Sequence, residues 1–397
     1  MAKLVIVGGG IGGLAAALAL ARRGHRAVVL ERADEFSEIG AGIQLAPNGL
    51  HALDRLGLGG AVCVRAVHID ELRFMDGVTG AHVASMPLTG AYRRRFGNPY
   101  VVVHRGELHR LLLEACRHRS EAIDLRAGSR ATGYRQDGFG ATVLLDGGER
   151  VTGDAVIGAD GIHSAIRRQL VGDGAPRVAG ITVYRTVIPM ERVPEELRWN
   201  AVTWWAGPGR HFVHYAIAGG RYLNLAPSVE NGVTEPFAAV PVDRERVRDT
   251  FASLAPVAQR LLALGEDWKS WALVDRDPVD RWTDGRVTLL GDAAHPMLHY
   301  AAQGACQALE DAVVLGDLLD DEAETVPDRL EKYNAERRDR TARITHAARA
   351  STRLWHPAGA EAKARNEMLS ALSGTDLHDH VAWMHGTRAF GAAGARR

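Results

Sequence analysis

The chain of 397 residues is 46% hydrophobic and 24% charged, which is typical of a globular enzyme of about two domains. Its net charge of zero argues against a protein built chiefly to bind nucleic acid, and the basic clusters at Arg93–Arg95 and Arg337–Arg343 suit solvent or a contact in a homo-oligomer instead. Three cysteines without metal-ligand spacing indicate neither a disulfide framework nor a metal site and favour a reducing cytoplasm, and no apolar run approaches the ~18 residues needed for membrane insertion.

The chain begins with a predicted β-α-β unit. An apolar strand, Lys3–Val7, precedes an alanine-rich helical pattern and a second strand, Ala27–Leu30, which runs into the acidic residue Glu31. The turn after the first strand has the spacing G-x-G-x-x-G, formed by Gly8, Gly10 and Gly13. Such glycines let the backbone approach a pyrophosphate at a helix N-terminus, and the acid binds ribose hydroxyls. The unit therefore predicts a dinucleotide with an unphosphorylated ribose, either FAD or NAD.

Two connections in the first half are compatible with a ligand without requiring one. The glycine-bearing loop from Arg32 to Pro47, which contains Gly42, either closes over a ligand or only joins its flanking elements. Arg105 lies between a predicted strand and a predicted helix at Glu107–Cys116. It is placed to meet a phosphate, and a surface ion pair is the alternative.

Two later strands also end in acidic turns. Ala155–Ile157 leads to Asp160-Gly161 and then to Arg167, and Arg286–Leu290 leads to Gly291-Asp292. A glycine permits close approach of the backbone, an arginine supplies charge, and an aspartate accepts hydrogen bonds from the hydroxyls of a polyol. Each turn alone is also explained as a helix cap, so the prediction of a cofactor site depends on all three turns together.

The middle of the chain changes to short strands. They are predicted at 181–188, 201–206, 211–217 and 221–226. With the two-residue period of a strand, His211 and Tyr215 share one face with Val213 and Ile217. This face suits a small aromatic ligand with one polar substituent, and a histidine with satisfied hydrogen bonds in a protein interior is an equal alternative.

The last third is predicted to be mainly helical. A helix at 243–264 is interrupted at Pro256, and a strand at 271–274 returns towards the third acidic turn. A long charged helix is predicted at 330–354, and the remaining residues to Arg397 have no clear periodicity.

The three turns, in this order and approximate spacing, resemble those of the flavoprotein aromatic hydroxylases of the p-hydroxybenzoate hydroxylase class over about residues 1–350. Within that class, the stretches around Gly42, Tyr100–His109, Arg210–Tyr215 and His295–Asp311 are most similar to 3-hydroxybenzoate 6-hydroxylases, 6-hydroxynicotinate 3-monooxygenases and salicylate hydroxylases. The resemblance implies an α/β fold, with a Rossmann-type FAD-binding domain and an inserted β-sheet substrate domain. We expect the FAD-binding domain at 1–70, 100–172 and 280–355, the substrate domain at 71–99 and 173–279, and a C-terminal tail at 356–397.

The resemblance also implies a reaction. We expect an FAD-dependent monooxygenase that uses NADH or NADPH and O2 to hydroxylate a small hydroxyaromatic substrate, such as a hydroxybenzoate, salicylate or a hydroxypyridine, through a C4a-hydroperoxyflavin. FAD would be held without a covalent bond, and the nicotinamide would dock transiently, since the chain has a single dinucleotide fingerprint. The alternatives are a tailoring hydroxylase of a larger phenolic or pyridinol natural product, and a flavin-binding reductase or regulator that does not oxygenate.

Carried over residue by residue, the resemblance assigns two groups of site residues. Those expected to contact the cofactor are Gly8, Gly10, Gly13, Glu31, Arg32, Gly42, Arg105, Asp160, Arg167, Asp292, Pro296, Gly304 and Ala305. Around the substrate ring, the expected base is His211 first and His299 second, and Tyr215 and Tyr100 orient the ring. The position of His299 carries glutamine in the 3-hydroxybenzoate enzymes, which leaves the exact substrate open.

Overall fold

The computed structural model describes residues 1–37, 42–319, 323–388 and 390, which form a mixed α/β structure. The strands, in chain order, are β1 (Lys3–Val7), β2 (Arg26–Leu30), β3 (Gly42–Leu45), β4 (Val67–His68), β5 (Glu71–Asp76), β6 (His82–Pro87), β7 (Val101–His104), β8 (Ile123–Arg126), β9 (Ala131–Gln136), β10 (Ala141–Leu145), β11 (Arg150–Gly153), β12 (Ala155–Gly158), β13 (Arg177–Pro189), β14 (Ala201–Gly207), β15 (Arg210–Ile217), β16 (Tyr222–Glu230), β17 (Val240–Pro241), β18 (Lys269–Asp275), β19 (Thr283–Asp284) and β20 (Val287–Leu289). The helices are α1 (Ile11–Arg22), α2 (Pro47–Arg55), α3 (Gly59–Arg65), α4 (Ala91–Phe96), α5 (Arg105–Arg117), α6 (Ala165–Leu170), α7 (Arg244–Thr250), α8 (Pro256–Leu262), α9 (Gly304–Leu318), α10 (Val326–Ala350), α11 (Thr352–Trp355), α12 (Gly359–Ser370) and α13 (Gly374–His385).

A six-stranded sheet forms the first layer, in the order β19-β20-β12-β1-β2-β8. Its strands from β20 to β8 run parallel, and β19 pairs antiparallel with β20. Small residues let the helices approach closely here, because a side chain at Gly316 on α9 would press on Ala19 of α1. The alanine-rich pattern of α1 is thus the pattern of a helix that is buried on nearly every side.

An eight-stranded sheet forms the second layer, in the order β17-β18-β13-β16-β15-β14-β5-β6. Neighbouring strands are antiparallel except for β14 and β5, which are parallel. The early segment β5–β6 therefore pairs with strands that lie more than a hundred residues later in the chain. Two three-stranded sheets, β3-β7-β4 and β11-β10-β9, complete the strand pairing among the described residues.

The end of the chain departs from its sequence pattern. Residues 356–397 show no clear periodicity, but α12 and α13 form within them. Ser373 begins α13 with a capping box that involves Asp376, and this was the available signal for that helix. The buried residues of α13 include His378 and His385 rather than an aliphatic stripe, which is why a hydrophobic period does not reveal it. Gly40 and Ala41, part of the predicted ligand-closing loop, lie outside the described residues.

Neither a membrane-spanning helix nor a metal-binding cluster is present among the described residues. None of the helices in these ranges is both long and apolar enough to cross a membrane. Within the same ranges, no group of three or more histidine, cysteine or acidic side chains is arranged to hold a metal ion.

A buried ionic cluster joins α9, α10 and the turn after β20. The carboxylate of Asp311 accepts hydrogen bonds from the backbone N–H of Gly291 at 3.0 Å, from His295 Nε2 at 2.6 Å and from Arg337 Nε at 2.7 Å. Burial alone raises the pKa of a carboxylate, but His295 and Arg337 hold the pKa of Asp311 at about 2. Glu310 beside it binds Arg337 and Arg340, so the buried charges are paired.

We predict that Asp311→Asn lowers the free energy of unfolding by about 3–5 kcal/mol at pH 7, because it removes one carboxylate of a buried ionic cluster and leaves Arg337 with Glu310 alone. Because the pKa of Asp311 is lowered in the folded protein, the ionised carboxylate stabilises the fold above about pH 4. This contribution to the free energy of unfolding is lost as the pH falls towards 2. Urea denaturation at pH 7 measures the change. Glu367→Gln, which removes an exposed carboxylate 3.9 Å from Lys363, should leave the midpoint unchanged. Equal stability of Asp311→Asn and the parent would refute the role of the cluster.

Candidate active site

The three acidic or glycine-rich turns meet at one edge of the six-stranded sheet. Strands β20, β12, β1 and β2 are neighbours and run parallel, so their C-terminal ends lie side by side. The turns that follow them carry Asp292, Asp160, Gly8–Gly13 and Glu31, in that order across the sheet. In open α/β sheets, ligands bind at the carboxyl ends of the strands, so this edge is the expected cofactor site.

The glycine turn has room for backbone only. Gly8 has a φ of +111°, in the region that favours glycine. A side chain at Gly8 would overlap the carbonyl oxygen of Ala159, and one at Gly13 would overlap the carbonyl oxygen of Gly8. The N-terminus of α1 follows directly, and its backbone N–H groups are suited to bind phosphate.

Glu31 lies against this turn. Its two carboxylate oxygens accept hydrogen bonds from the backbone N–H groups of Gly9 and Ala33, both at 2.9 Å. Because a carboxylate has further lone pairs, these two bonds leave it able to accept ribose hydroxyls. Arg32, which follows it, is exposed.

Asp160 and Arg167 are both engaged in holding the second turn. Asp160 accepts hydrogen bonds from the hydroxyl of Ser164 and from the N–H of Ala165, and Ser164 caps α6, so the helix-cap interpretation of this turn is confirmed. Arg167 is fully buried and pairs with Asp173 at 2.6 Å. Its Nη1 donates to the carbonyls of Ala293 and Ala294, at 3.0 and 2.6 Å. Arg167 thus ties the second turn to the third, and we propose that it affects the cofactor through that turn.

The third turn presents a carboxylate to the outside. Asp292 is exposed, although Gly291, Ala293 and Pro296 around it are buried. Among the described residues, no side chain or backbone group forms a hydrogen bond with its carboxylate, which is therefore available to a polyol such as a ribityl chain. Gly304 and Ala305, at the N-terminus of α9, are half-buried nearby, with Gly304 facing Asp292.

On the face of the eight-stranded sheet that carries the predicted base, buried polar atoms lack partners. His211 is fully buried, and the strand register places it opposite Ser228, while Tyr215 lies opposite Asn224. The partnerless atoms near this face are His211 Nε2, Ser228 Oγ, Asn224 Oδ1 and Tyr300 Oη. Since buried polar atoms are normally hydrogen-bonded, this group indicates a place for a polar ligand.

The two candidate bases are close and both are neutral at pH 7. The rings of His211 and His299 lie 6.5 Å apart between centroids, and Tyr300 meets His211 edge-on at 5.2 Å. Burial, with His356 and His299 beside it, holds the pKa of His211 well below 6.5. Burial and the nearby Arg185 lower the pKa of His299 to about 3. A neutral imidazole has one unprotonated nitrogen, so each ring is able to accept a proton.

Tyr100 and Tyr215 form a second polar group beside this one. The hydroxyl of Tyr100 donates to Gln44 Oε1 at 2.6 Å, and that of Tyr215 donates to the carbonyl of Gly42 at 3.2 Å. Burial raises the pKa of both tyrosines, so their hydroxyls stay protonated. The structure therefore brings Tyr100, Tyr215 and Gly42 together, with Gln44 as an additional partner.

Arg185 is a site residue that the sequence interpretation missed. Val183 pairs with Ser228, and Ser228 pairs with His211, so these three side chains share one face of the sheet. Arg185 is two residues beyond Val183 on β13 and therefore projects from the same face as His211. Burial lowers its pKa, and Tyr215 and Arg105 lie close enough to affect that pKa as well. Arg185 is half-buried, and its guanidinium lies over the ring of Trp271, 5.6 Å from the ring centroid. No carboxylate in the described part of the chain forms an ion pair with it. An arginine within a predicted inner strand was the available signal.

Comparison with known proteins agrees with this geometry. The FAD binding domain family matches residues 1–348 of the chain. The chain is 47% identical over 385 residues to 3-hydroxybenzoate 6-hydroxylase 1 of Aquipseudomonas alcaligenes, with 97% of each chain covered. Klebsiella pneumoniae HpxO complexed with FAD and uric acid superimposes with a TM-score of 0.84 at 29% identity, covering 99% of this chain and 98% of that one. A salicylate hydroxylase substrate complex also has a TM-score of 0.84, at 25% identity and with 99% and 97% covered. The predicted fold class and FAD as cofactor are thus confirmed.

The residues at the sheet edge fit FAD. The closely packed glycines and the N-terminus of α1 suit the pyrophosphate, Glu31 suits the adenosine ribose, and the exposed carboxylate of Asp292 suits the ribityl chain.

We predict that Asp292→Ala weakens FAD binding by roughly 1.5–3 kcal/mol, or about 10- to 100-fold in Kd, because a charge-assisted hydrogen bond is lost. Titration of the apoprotein with FAD, followed by flavin fluorescence, measures it. Asp146→Ala, in an exposed turn between β10 and β11, is the matched control and should bind FAD as the parent does.

Glu31→Ala should also lose affinity for FAD, while the holoenzyme that remains still hydroxylates. Normal FAD binding by both site variants would place the cofactor contacts elsewhere.

Proposed function

We propose, given that the chain belongs to the FAD binding domain family, that this FAD-dependent aromatic monooxygenase hydroxylates a monohydroxybenzoate and uses His211 as the base. The observation that carries the proposal is the buried, partnerless Nε2 of His211, on the same sheet face as Arg185, which has no acid partner in the described ranges. When bound, FAD takes electrons from NAD(P)H and supplies an activated oxygen atom from O2. The protein's own residues bind and orient the ring, accept its proton and exclude water.

Arg185 supports a substrate with a carboxylate. A guanidinium group binds a carboxylate through charge-assisted hydrogen bonds, and a half-buried arginine without an acid partner is available to such a ligand. Arg185 also lies close to Tyr215 and His299, since it affects the pKa of both. The relative that is 47% identical carries the name 3-hydroxybenzoate 6-hydroxylase, whose named substrate has both a hydroxyl and a carboxylate.

His211 is better suited than His299 to take the hydroxyl proton. Its Nδ1 is engaged with His356 at 2.9 Å, which fixes the ring and leaves Nε2 for the substrate. Removal of the hydroxyl proton raises the electron density of the ring before oxygen is added. Burial lowers the pKa of both rings, so the choice between them rests on this geometry and not on their basicity. We assign His299 the role of a neutral hydrogen-bonding group, with Tyr215 and Tyr100 orienting the ring.

We predict that Arg185→Met raises KM for the preferred hydroxybenzoate about 10- to 100-fold, because a charged hydrogen bond is lost. A screen of isomeric hydroxybenzoates and hydroxypyridines, scored by product mass, first identifies the substrate. The same variant should leave KM unchanged for the corresponding hydroxybenzyl alcohol, which has no carboxylate. Arg192→Met, which removes an exposed arginine in the turn that follows the same strand, is the control variant. A rise in KM for NAD(P)H alone would assign Arg185 to the nicotinamide instead.

We predict that kcat/KM of the parent is constant from pH 8 to about 6.5 and falls in acid, because the lowered pKa of His211 keeps the ring unprotonated until well below pH 6.5. At pH 7 the His211→Asn variant should hydroxylate about 100-fold more slowly than the parent. Its rate should approach that of the parent towards pH ~10, where a phenol ionises unaided. Hydroxylated product measured across this range gives the profile. If His299→Asn produces these effects and His211→Asn does not, the base is His299.

A further inference from the structure

Two side chains, those of His356 and Glu230, connect the predicted base to the surface. His211 on β15 is fully buried, and its Nδ1 lies 2.9 Å from Nε2 of His356, which follows α11. His356 Nδ1 in turn lies 3.1 Å from Oε2 of Glu230, at the end of β16. The side chain of His356 is 6% exposed, whereas that of Glu230 is 58% exposed. The row therefore runs from the interior of the site to solvent.

The carboxylate of Glu230, at the end of the row, determines which nitrogen of each histidine ring carries the proton. An ionised carboxylate only accepts hydrogen bonds, so His356 donates its Nδ1–H to Glu230. The Nε2 of a neutral His356 then accepts, and His211 donates its Nδ1–H to it. His211 Nε2 is left unprotonated, and that buried atom has no hydrogen-bond partner within the described ranges.

The fold holds this row in place. The rings of His356 and His211 lie edge to edge, with centroids 5.2 Å apart and an interplanar angle of 26°, as expected for rings joined through their nitrogens. The N–H of Gly209, at the β14–β15 turn, donates to the carbonyl of His356 at 3.0 Å. The N–H of Glu230 donates to the carbonyl of the same Gly209 at 2.8 Å. One hairpin therefore anchors the backbone of both outer members.

A base buried this deeply needs a route by which it loses the proton that it gains. If His211 kept both protons, it would be a cation removed from water, next to His299 and without a carboxylate of its own. The groups that surround the row are His299 and Tyr300 from the turn after β20, and Arg185 beside His299. They are neutral or positive at pH 7, so none of them neutralises an imidazolium. Glu230 is the acid of the row, and Tyr300 is also near it.

We propose that His356 and Glu230 relay the substrate hydroxyl proton from His211 to solvent. This proposal rests on the proposed function, in which His211 is the base. As the O–H bond of the substrate breaks, His211 Nε2 gains that proton while its Nδ1 proton passes to His356 Nε2. The Nδ1 proton of His356 passes to Glu230, which releases it to water. Each ring ends neutral with its proton on the other nitrogen, and the product is a bound phenolate plus one proton in solvent.

The test measures that proton directly. The FAD-loaded enzyme is mixed with the identified hydroxybenzoate in weak buffer that contains a pH indicator, without NAD(P)H, so that no turnover takes place. Stopped-flow absorbance follows proton release, and the ultraviolet difference spectrum follows phenolate formation. Glu230→Gln keeps the hydrogen bond from His356 but does not take up a proton, and it lies at the surface, where folding is least affected. Glu235→Gln, in the exposed segment just after β16, is the matched control.

We expect both Glu230→Gln and His356→Phe to slow proton release at least ~10-fold, with substrate Kd changed less than ~3-fold, because only the path of the proton is interrupted. Glu230→Asp should restore part of the rate, and Glu235→Gln should match the parent. Release from Glu230→Gln at the parent's rate would overturn the relay. If the parent binds hydroxybenzoate without phenolate formation, His211 is not acting as the base. The proposed function is then wrong in this respect, and the relay is rejected as well.

Discussion

The carboxylate of Asp311 is the interaction on which the cofactor edge depends. It accepts from Gly291, His295 and Arg337, and so it joins the turn that presents Asp292 to two long helices. Burial opposes its ionised state, yet His295 and Arg337 lower its pKa to about 2. A buried carboxylate with several well-placed donors confers geometry more than stability, because it permits a single arrangement of the groups around it.

Partnered and unpartnered charges in this protein have different positions and different functions. Arg167 and Asp160 have acid, hydroxyl or backbone partners, and they hold one turn against the next. Within the residues described, the carboxylate of Asp292 and the Nε2 of His211 have no hydrogen-bond partner, and Arg185 has no acid partner; all three lie where cofactor and substrate are expected. An unpaired buried polar atom such as His211 Nε2 costs free energy, and its retention at such a place is explained by a ligand that supplies the missing hydrogen bond.

The substrate face is assembled from distant parts of the chain. Tyr100 and Gly42 come from a small sheet near the first turn, His211 and Arg185 from the large sheet, and His356 from the segment expected to be a tail. Sheet register aligns Arg185 with His211, and a hairpin holds His356 beside them. We therefore propose that the C-terminal segment is part of the site, because its first residue, His356, contacts the proposed base.

The sequence by itself determined the features that depend on neighbouring residues. The glycine spacing, the acids at the strand ends and the two-residue period of β15 are local, and together they predicted the Rossmann unit and the shared face of His211 and Tyr215. Only the tertiary structure decided which charges have partners. His356 reaches His211 across 145 positions, and Arg185 lies on the substrate face through pairings along two strands. Helices α12 and α13 were missed because buried histidines and arginine, rather than an apolar stripe, make their contacts. Such contacts follow from strand register and from chain reversals far away in sequence, which no local pattern specifies.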